Sequence, residues 1–152
     1  QMVGHNPDLI LAGRKLNDEM PAFVAKKLLR KLLKSQLKLD EQKILVIGIT
    51  FKENCKDIRN TKIVDLINEF SDYGLAVDVY DPIASKKEVF DTHGIKLLKT
   101  MPLAKYAAIV LAVPHEEVVN LGLETIRSSG LLGHVFFDLK SIYAKTESDI
   151  RL

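Results

Sequence analysis

Lys43-Ile44-Leu45-Val46-Ile47-Gly48-Ile49-Thr50-Phe51-Lys52, answered by Arg59-Asn60-Thr61, is the stretch on which the fold reading turns. Residues 44–47 are apolar without a polar alternate, the pattern of a strand covered on both faces rather than one. Gly48 then permits a tight turn. Lys52 and Arg59 put positive charge in the loop, and Thr61 is a hydroxyl cap for a following helix. A strand running through a cationic loop into a helix N-terminus places free amides and positive charge where a phosphate can bind.

The pattern continues outward from this unit. Residues 61–73 read as a helix with Ile63, Val64, Leu66, Ile67 and Phe70 on its apolar side, closed by Gly74. A strand over 75–80 ends at Asp81-Pro82, and a helix covers 84–91. A short strand is expected at 95–98 and a turn of helix at 101–105. A long buried strand over 107–113 stops at Pro114. Helix is expected over 115–128, weakened by Gly122, then a last strand at 135–138, with 145–152 fraying. Apolar strands alternating with helices predict an α/β fold. It is a Rossmann-like three-layer domain with a mainly parallel sheet.

Ahead of this unit, Gly4-His5-Asn6-Pro7 reads as a turn, and Asn17 or Asp18 as the cap of a long connecting helix with Pro21 in its first turn. Met20, Phe23, Val24, Leu28, Leu32 and Leu33 follow helical spacing to about Gln36. Lys26, Arg30, Lys34 and Lys38 recur on another side, as a solvated basic face or a surface for an acidic one. Residues 37–42 read as a linker. The division is therefore 1–40 and 41–152.

Bulk properties narrow the function. The 152 residues carry 47% hydrophobic and 28% charged side chains and a net charge of +2, the profile of a soluble domain. That charge does not argue for nucleic-acid or membrane partners, and the run 107–113 is too short to span a bilayer. One cysteine allows no internal disulfide and fits a reducing cytosol. The chain opens at Gln1 and its first segment reads as the middle of something longer. His5, His93, His115 and His134 lack metal-ligand spacing, so no metal site is expected. His115 reads as a helix-start residue.

The glycine-rich dinucleotide fingerprint fails here: Gly48 is in place, but Thr50 and Glu53 stand where the second and third glycines belong. Lys52, Lys56 and Arg59 at the carboxyl end of a strand read either as phosphate contacts or as solvated charges balanced by Glu53 and Asp57. Asp81 reads as a ribose contact or, more simply, as the residue that ends its strand. Asp138 and Lys140 end the last strand on the same sheet edge, which makes Lys140 a second phosphate candidate. Cys55 has no base placed beside it and reads as a passive thiol.

Three groups of residues together carry a resemblance. The segment from Gly4 to Pro21 (GHNPDLILAGRKLNDEMP) resembles the end of the central domain of nucleotide-sugar 6-dehydrogenases, closest to the UDP-N-acetylhexosamine branch. Gly48 to Thr61 (GITFKENCKDIRNT) is similar to the segment that opens that family's UDP-binding C-terminal domain. Tyr80-Asp81-Pro82 and Phe137-Asp138-Leu139-Lys140 resemble its strand endings. The resemblance implies an NAD-dependent oxidation of a UDP-sugar C6 alcohol to a carboxylate, for polysaccharide precursors. NAD and the cysteine nucleophile would lie in amino-terminal sequence outside this chain. It implies substrate contacts by Lys52 and Lys140, a bracing role for Arg59, an unassigned branch-typical Arg14, and a homodimer built near the connecting helix. Catalytic and cofactor-binding residues are not expected in this chain, and Cys55 does not match the nucleophile's motif.

Overall fold

The computed structural model describes residues 7–35, 37 and 43–152. The expected turn at 4–6, the helix end at Gln36, Lys38 and the rest of the linker to Gln42 lie outside the described residues. Five helices and five strands are described: α1 (Pro7–Leu32), β1 (Lys43–Ile47), α2 (Lys62–Asp72), β2 (Ala76–Tyr80), α3 (Lys86–His93), β3 (Tyr106–Leu111), α4 (Glu116–Asn120), α5 (Leu123–Arg127), β4 (Gly130–Asp138) and β5 (Ile150–Arg151).

The strands pair in the order β2-β1-β3-β4-β5, every neighbouring pair parallel. Parallel strands need crossovers, so both faces acquire helices. Side-chain alternation along β1 shows the result. Ile44 and Val46 enter a core with Val24, Leu28, Leu66 and Phe70, while Leu45 and Ile47 enter a second core with Ile109, Val118, Ile126 and Phe136. A strand buried twice cannot afford polar alternates, which is why the 44–47 run is apolar throughout. The α/β, Rossmann-like reading holds.

Several element expectations are corrected. The long helix begins at Pro7, so Asn17 and Asp18 lie inside it, and Pro21 is an interior residue. Leu11, Ala12, Arg14, Lys15 and Leu16 favour helix and carry it through the expected start, although Pro21 has no N–H for the Asn17 carbonyl. The buried stripe is Val24, Ala25, Leu28 and Leu32; Phe23 and Leu33 are 54% and 66% exposed on the far side of the helix. Residues 115–128 form two short helices because Gly122, at φ +83°, breaks them. The expected 95–98 strand reduces to one bridge between Leu97 and Val79, and 101–105 is not helical. The last expected strand starts earlier, at Gly130.

The carboxyl end corrects the fraying expectation. Ile150 is only 8% exposed and pairs with Phe137. Asp149 fastens the segment: one carboxylate oxygen accepts from the Phe136 amide at 2.8 Å and from Arg127 at 3.1 Å. No helix among the described residues is long and apolar enough to cross a membrane. Among those residues no three His, Cys, Asp or Glu side chains cluster as metal ligands.

Candidate functional site

Parallel strands deliver their carboxyl ends to one edge of the sheet, and the loops that leave β1, β3 and β4 meet there. Gly48 makes the meeting possible. Its φ is +88°, and a Cβ built on it would lie 2.5 Å from both the Cβ and the carbonyl oxygen of Val113, so only glycine fits beneath the end of β3.

A crevice of about 250 Å³ opens at this edge, lined by Asn17 of α1, Thr50 and Phe51 after β1, Asn60, Thr61 and Lys62 at the start of α2, Ala112 and Val113 after β3, and Lys140 after β4. Thr61 caps α2, its hydroxyl accepting from the Ile63 amide at 3.3 Å. The positive end of the α2 dipole therefore faces the crevice.

The cations around it differ in how they are committed. Arg59 forks onto Asp57, with Nε to Oδ1 at 3.0 Å and Nη2 to Oδ2 at 2.9 Å. Side-chain and backbone hydrogen bonds from Arg59 bring the Asp57 carboxyl down to about 2. Lys62 is held between Asp18 at 2.8 Å and Asp65 at 3.3 Å, and hydrogen bonds from those two acids raise its pKa. Lys52 and Lys140 form no ion pair among the described residues, and both are exposed. Lys140 lines the crevice; Lys52 stands next to the lining residue Phe51 without lining it. Arg14 is exposed on the amino half of α1, outside the crevice, although Asn17 three residues later is part of it.

Beneath the crevice lies a fully buried polar bracket. Asp81 is 2% exposed. Its Oδ1 accepts from the amides of Ile83 and Ala84 at 2.8 Å each, and its Oδ2 from the Ile49 amide at 2.8 Å and His115 Nε2 at 3.0 Å. Burial alone would raise this carboxyl; the bonds from His115, Ile49, Ala84 and Ile83 outweigh it and hold it below the usual range. With four donors the carboxylate has no lone pair left for a ribose, so the strand-ending reading of Asp81 is the one realised. Asp138 is tied to its own turn, accepting from the amides of Lys140 at 3.2 Å and Tyr143 at 2.8 Å.

Sequence reasoning missed Asn17 and Lys62 as crevice residues, and it missed the bracket role of His115. Asn17 carries no signal without knowing that α1 runs past it. A histidine directly after Pro114, at the carboxyl end of a buried strand, was the available cue for the third.

Comparison with known proteins agrees with this architecture. Residues 45–145 match the UDP-glucose/GDP-mannose dehydrogenase family, UDP binding domain. The chain is 43% identical to UDP-N-acetyl-D-glucosamine 6-dehydrogenase of Pseudomonas aeruginosa, covering 100% of this chain and 36% of that protein. It is 40% identical to the Salmonella typhi protein of the same name, with the same coverage of 100% and 36%. The chain thus spans about a third of the length of these relatives. Among solved structures, UDP-D-ManNAc dehydrogenase from Pyrococcus horikoshii superimposes with a TM-score of 0.75 over 99% of this chain and 34% of that one; at 24% identity the likeness speaks to the fold. On the match over residues 45–145, the chain belongs to the UDP-glucose/GDP-mannose dehydrogenase family and contains the family's UDP-binding domain.

Proposed function

We propose that this chain supplies the UDP-binding part of an NAD-dependent UDP-sugar 6-dehydrogenase, acting on a UDP-N-acetylhexosamine to make a uronic acid for polysaccharide synthesis. The carrying observation is the crevice at the sheet's carboxyl edge. It joins the α2 N-terminus to Lys140, with Lys52 beside it, and among the described residues these two lysines form no ion pair while Arg59 and Lys62 already hold carboxylates. A diphosphate is the ligand that a helix N-terminus flanked by free lysines suits. Lys52 and Lys140 are its contacts, Arg59 braces the loop through Asp57, and Arg14 belongs to the substrate side as it approaches from sequence beyond this chain. NAD and the redox chemistry belong to that other sequence, and the working protein is a homodimer. A reducing, cytoplasmic setting suits the unpaired Cys55.

Calorimetric titration with UDP, UMP and uridine tests the reading. Affinity is expected to fall from UDP to uridine, and Lys52→Ala and Lys140→Ala are expected to weaken UDP. No binding at millimolar UDP, in a full-length gene product also inactive on UDP-sugars with NAD, refutes it.

One observation favours a second reading, an interaction module. Phe23, Lys26, Lys27, Arg30, Lys31 and Lys34 line a groove of about 560 Å³ along α1, closed by Ile150. Under that reading, charge reversal at Lys26, Arg30 and Lys34 abolishes function while reversal at Lys52 and Lys140 leaves it intact.

A further inference from the structure

His115 is 0% exposed, yet its ring does not cap α4, the helix it precedes. Both ring nitrogens are instead turned on the loop that follows β1. Nδ1 accepts from the Asn54 amide at 3.0 Å, which places the ring proton on Nε2. Nε2 then donates toward Asp81 Oδ2 at 3.0 Å and Thr50 Oγ1 at 3.2 Å. The Thr50 hydroxyl in turn donates to the Lys52 carbonyl at 3.0 Å. One buried ring therefore holds residues 50 and 54, and Lys52 lies midway between them.

The loop needs such holding. Asn54 has φ +56°, a left-handed conformation that asparagine tolerates better than other side-chain-bearing residues but that still favours a held loop. Asn54 is fixed a second time, its Oδ1 accepting from the Glu116 amide at 2.9 Å. Asp81, itself bonded to Ile49, supplies the fixed carboxylate that orients the ring.

We propose that His115 is a positioning residue for anion binding: through Thr50 and Asn54 it sets the backbone that carries Lys52, and so the strength of the lysine's contact with a nucleoside diphosphate. This rests on the UDP-binding reading above.

The test is a thermodynamic cycle on the full-length gene product, with UDP affinity read by calorimetry and folding by circular dichroism. His115→Gln keeps a donor toward Asp81 and removes the acceptor for Asn54. Lys52→Ala and His115→Gln are each expected to weaken UDP about tenfold, the scale of one good hydrogen bond. Adding Lys52→Ala to His115→Gln is expected to cost less than about twofold more, since the two act through one contact. Should His115→Gln fail to fold, the near-isosteric Thr50→Val cuts the same chain at its hydroxyl and takes its place in the cycle. Losses that multiply, or a folded His115→Gln or Thr50→Val that binds UDP like the wild type, overturn the inference. A wild type that binds UDP while the cycle is multiplicative leaves the site reading standing and removes this inference alone; a wild type that binds no UDP removes both.

Discussion

Gly48→Ala probes the contact on which the crevice is built. The new methyl group would sit 2.5 Å from the Val113 Cβ and carbonyl oxygen and 2.8 Å from its nitrogen, in the buried segment two residues past β3. Positive φ costs an L-residue about 1–2 kcal/mol, and overpacking of a dense core adds about 1–3 kcal/mol. The sum is about 2–5 kcal/mol of lost stability. Gly74→Ala separates the two contributions: Gly74 has φ +76° but nothing within 4 Å of a built Cβ, so it should lose only the conformational part. Urea unfolding of the chain reads both. With a slope near 2 kcal/mol/M, Gly48→Ala should lower the midpoint by about 1–2.5 M and Gly74→Ala by less than about 1 M. Equal midpoints for the two variants would refute the close approach of β3 to the loop.

Lys140→Ala should weaken UDP by about 1–3 kcal/mol, the range for a charged hydrogen bond, read by calorimetry. Lys52→Ala should lie in the same range, whereas Lys62→Ala, removing a cation already held by Asp18 and Asp65, should cost the ligand less. Asp81→Asn should destabilise the fold by about 1–3 kcal/mol at neutral pH, because an amide cannot accept from all four donors. Asp81 has a depressed pKa in the folded state, so its contribution is complete above the ordinary carboxylate pKa. It disappears as pH falls through the folded value, and the gap between wild type and Asp81→Asn should narrow in acid. A gap that stays constant with pH would contradict that sign. The Asp57 carboxyl should titrate near 2 by NMR, and Arg59→Ala should return it toward the ordinary range.

The periodicity of β1 and β3 made the parallel sheet legible, because a strand buried on both faces leaves a continuous apolar run that little else produces. The helix 62–72 was equally plain, with Thr61 opening it and Gly74 just beyond. Residues fixed by tertiary context were not. The α1 start was misplaced because Asn17, Asp18 and Pro21 form a convincing cap pattern, and nothing local shows that the helix already exists. β5 was invisible because two residues have no periodicity; the Asp149 bonds and the pairing of Ile150 with Phe137 make it a strand. Of the candidate site residues, Lys140 falls in the crevice as the parallel topology requires, and Lys52 falls beside it. The commitment of Arg59 to Asp57 was half legible, two residues apart in sequence, while the bracket joining Asp81, His115, Thr50 and Asn54 draws on three separate loops.

One wall of the crevice is borrowed. α1 seats its carboxyl half in the core through Val24, Leu28 and Leu32, but it reaches the crevice with Asn17. The crevice end of the helix is tied as well: Met20 packs on the same core, and Asp18 bridges to Lys62 at 2.8 Å, one residue from Asn17. The width of the mouth thus depends on the Asp18–Lys62 clasp at its lip as much as on the buried half of the rod.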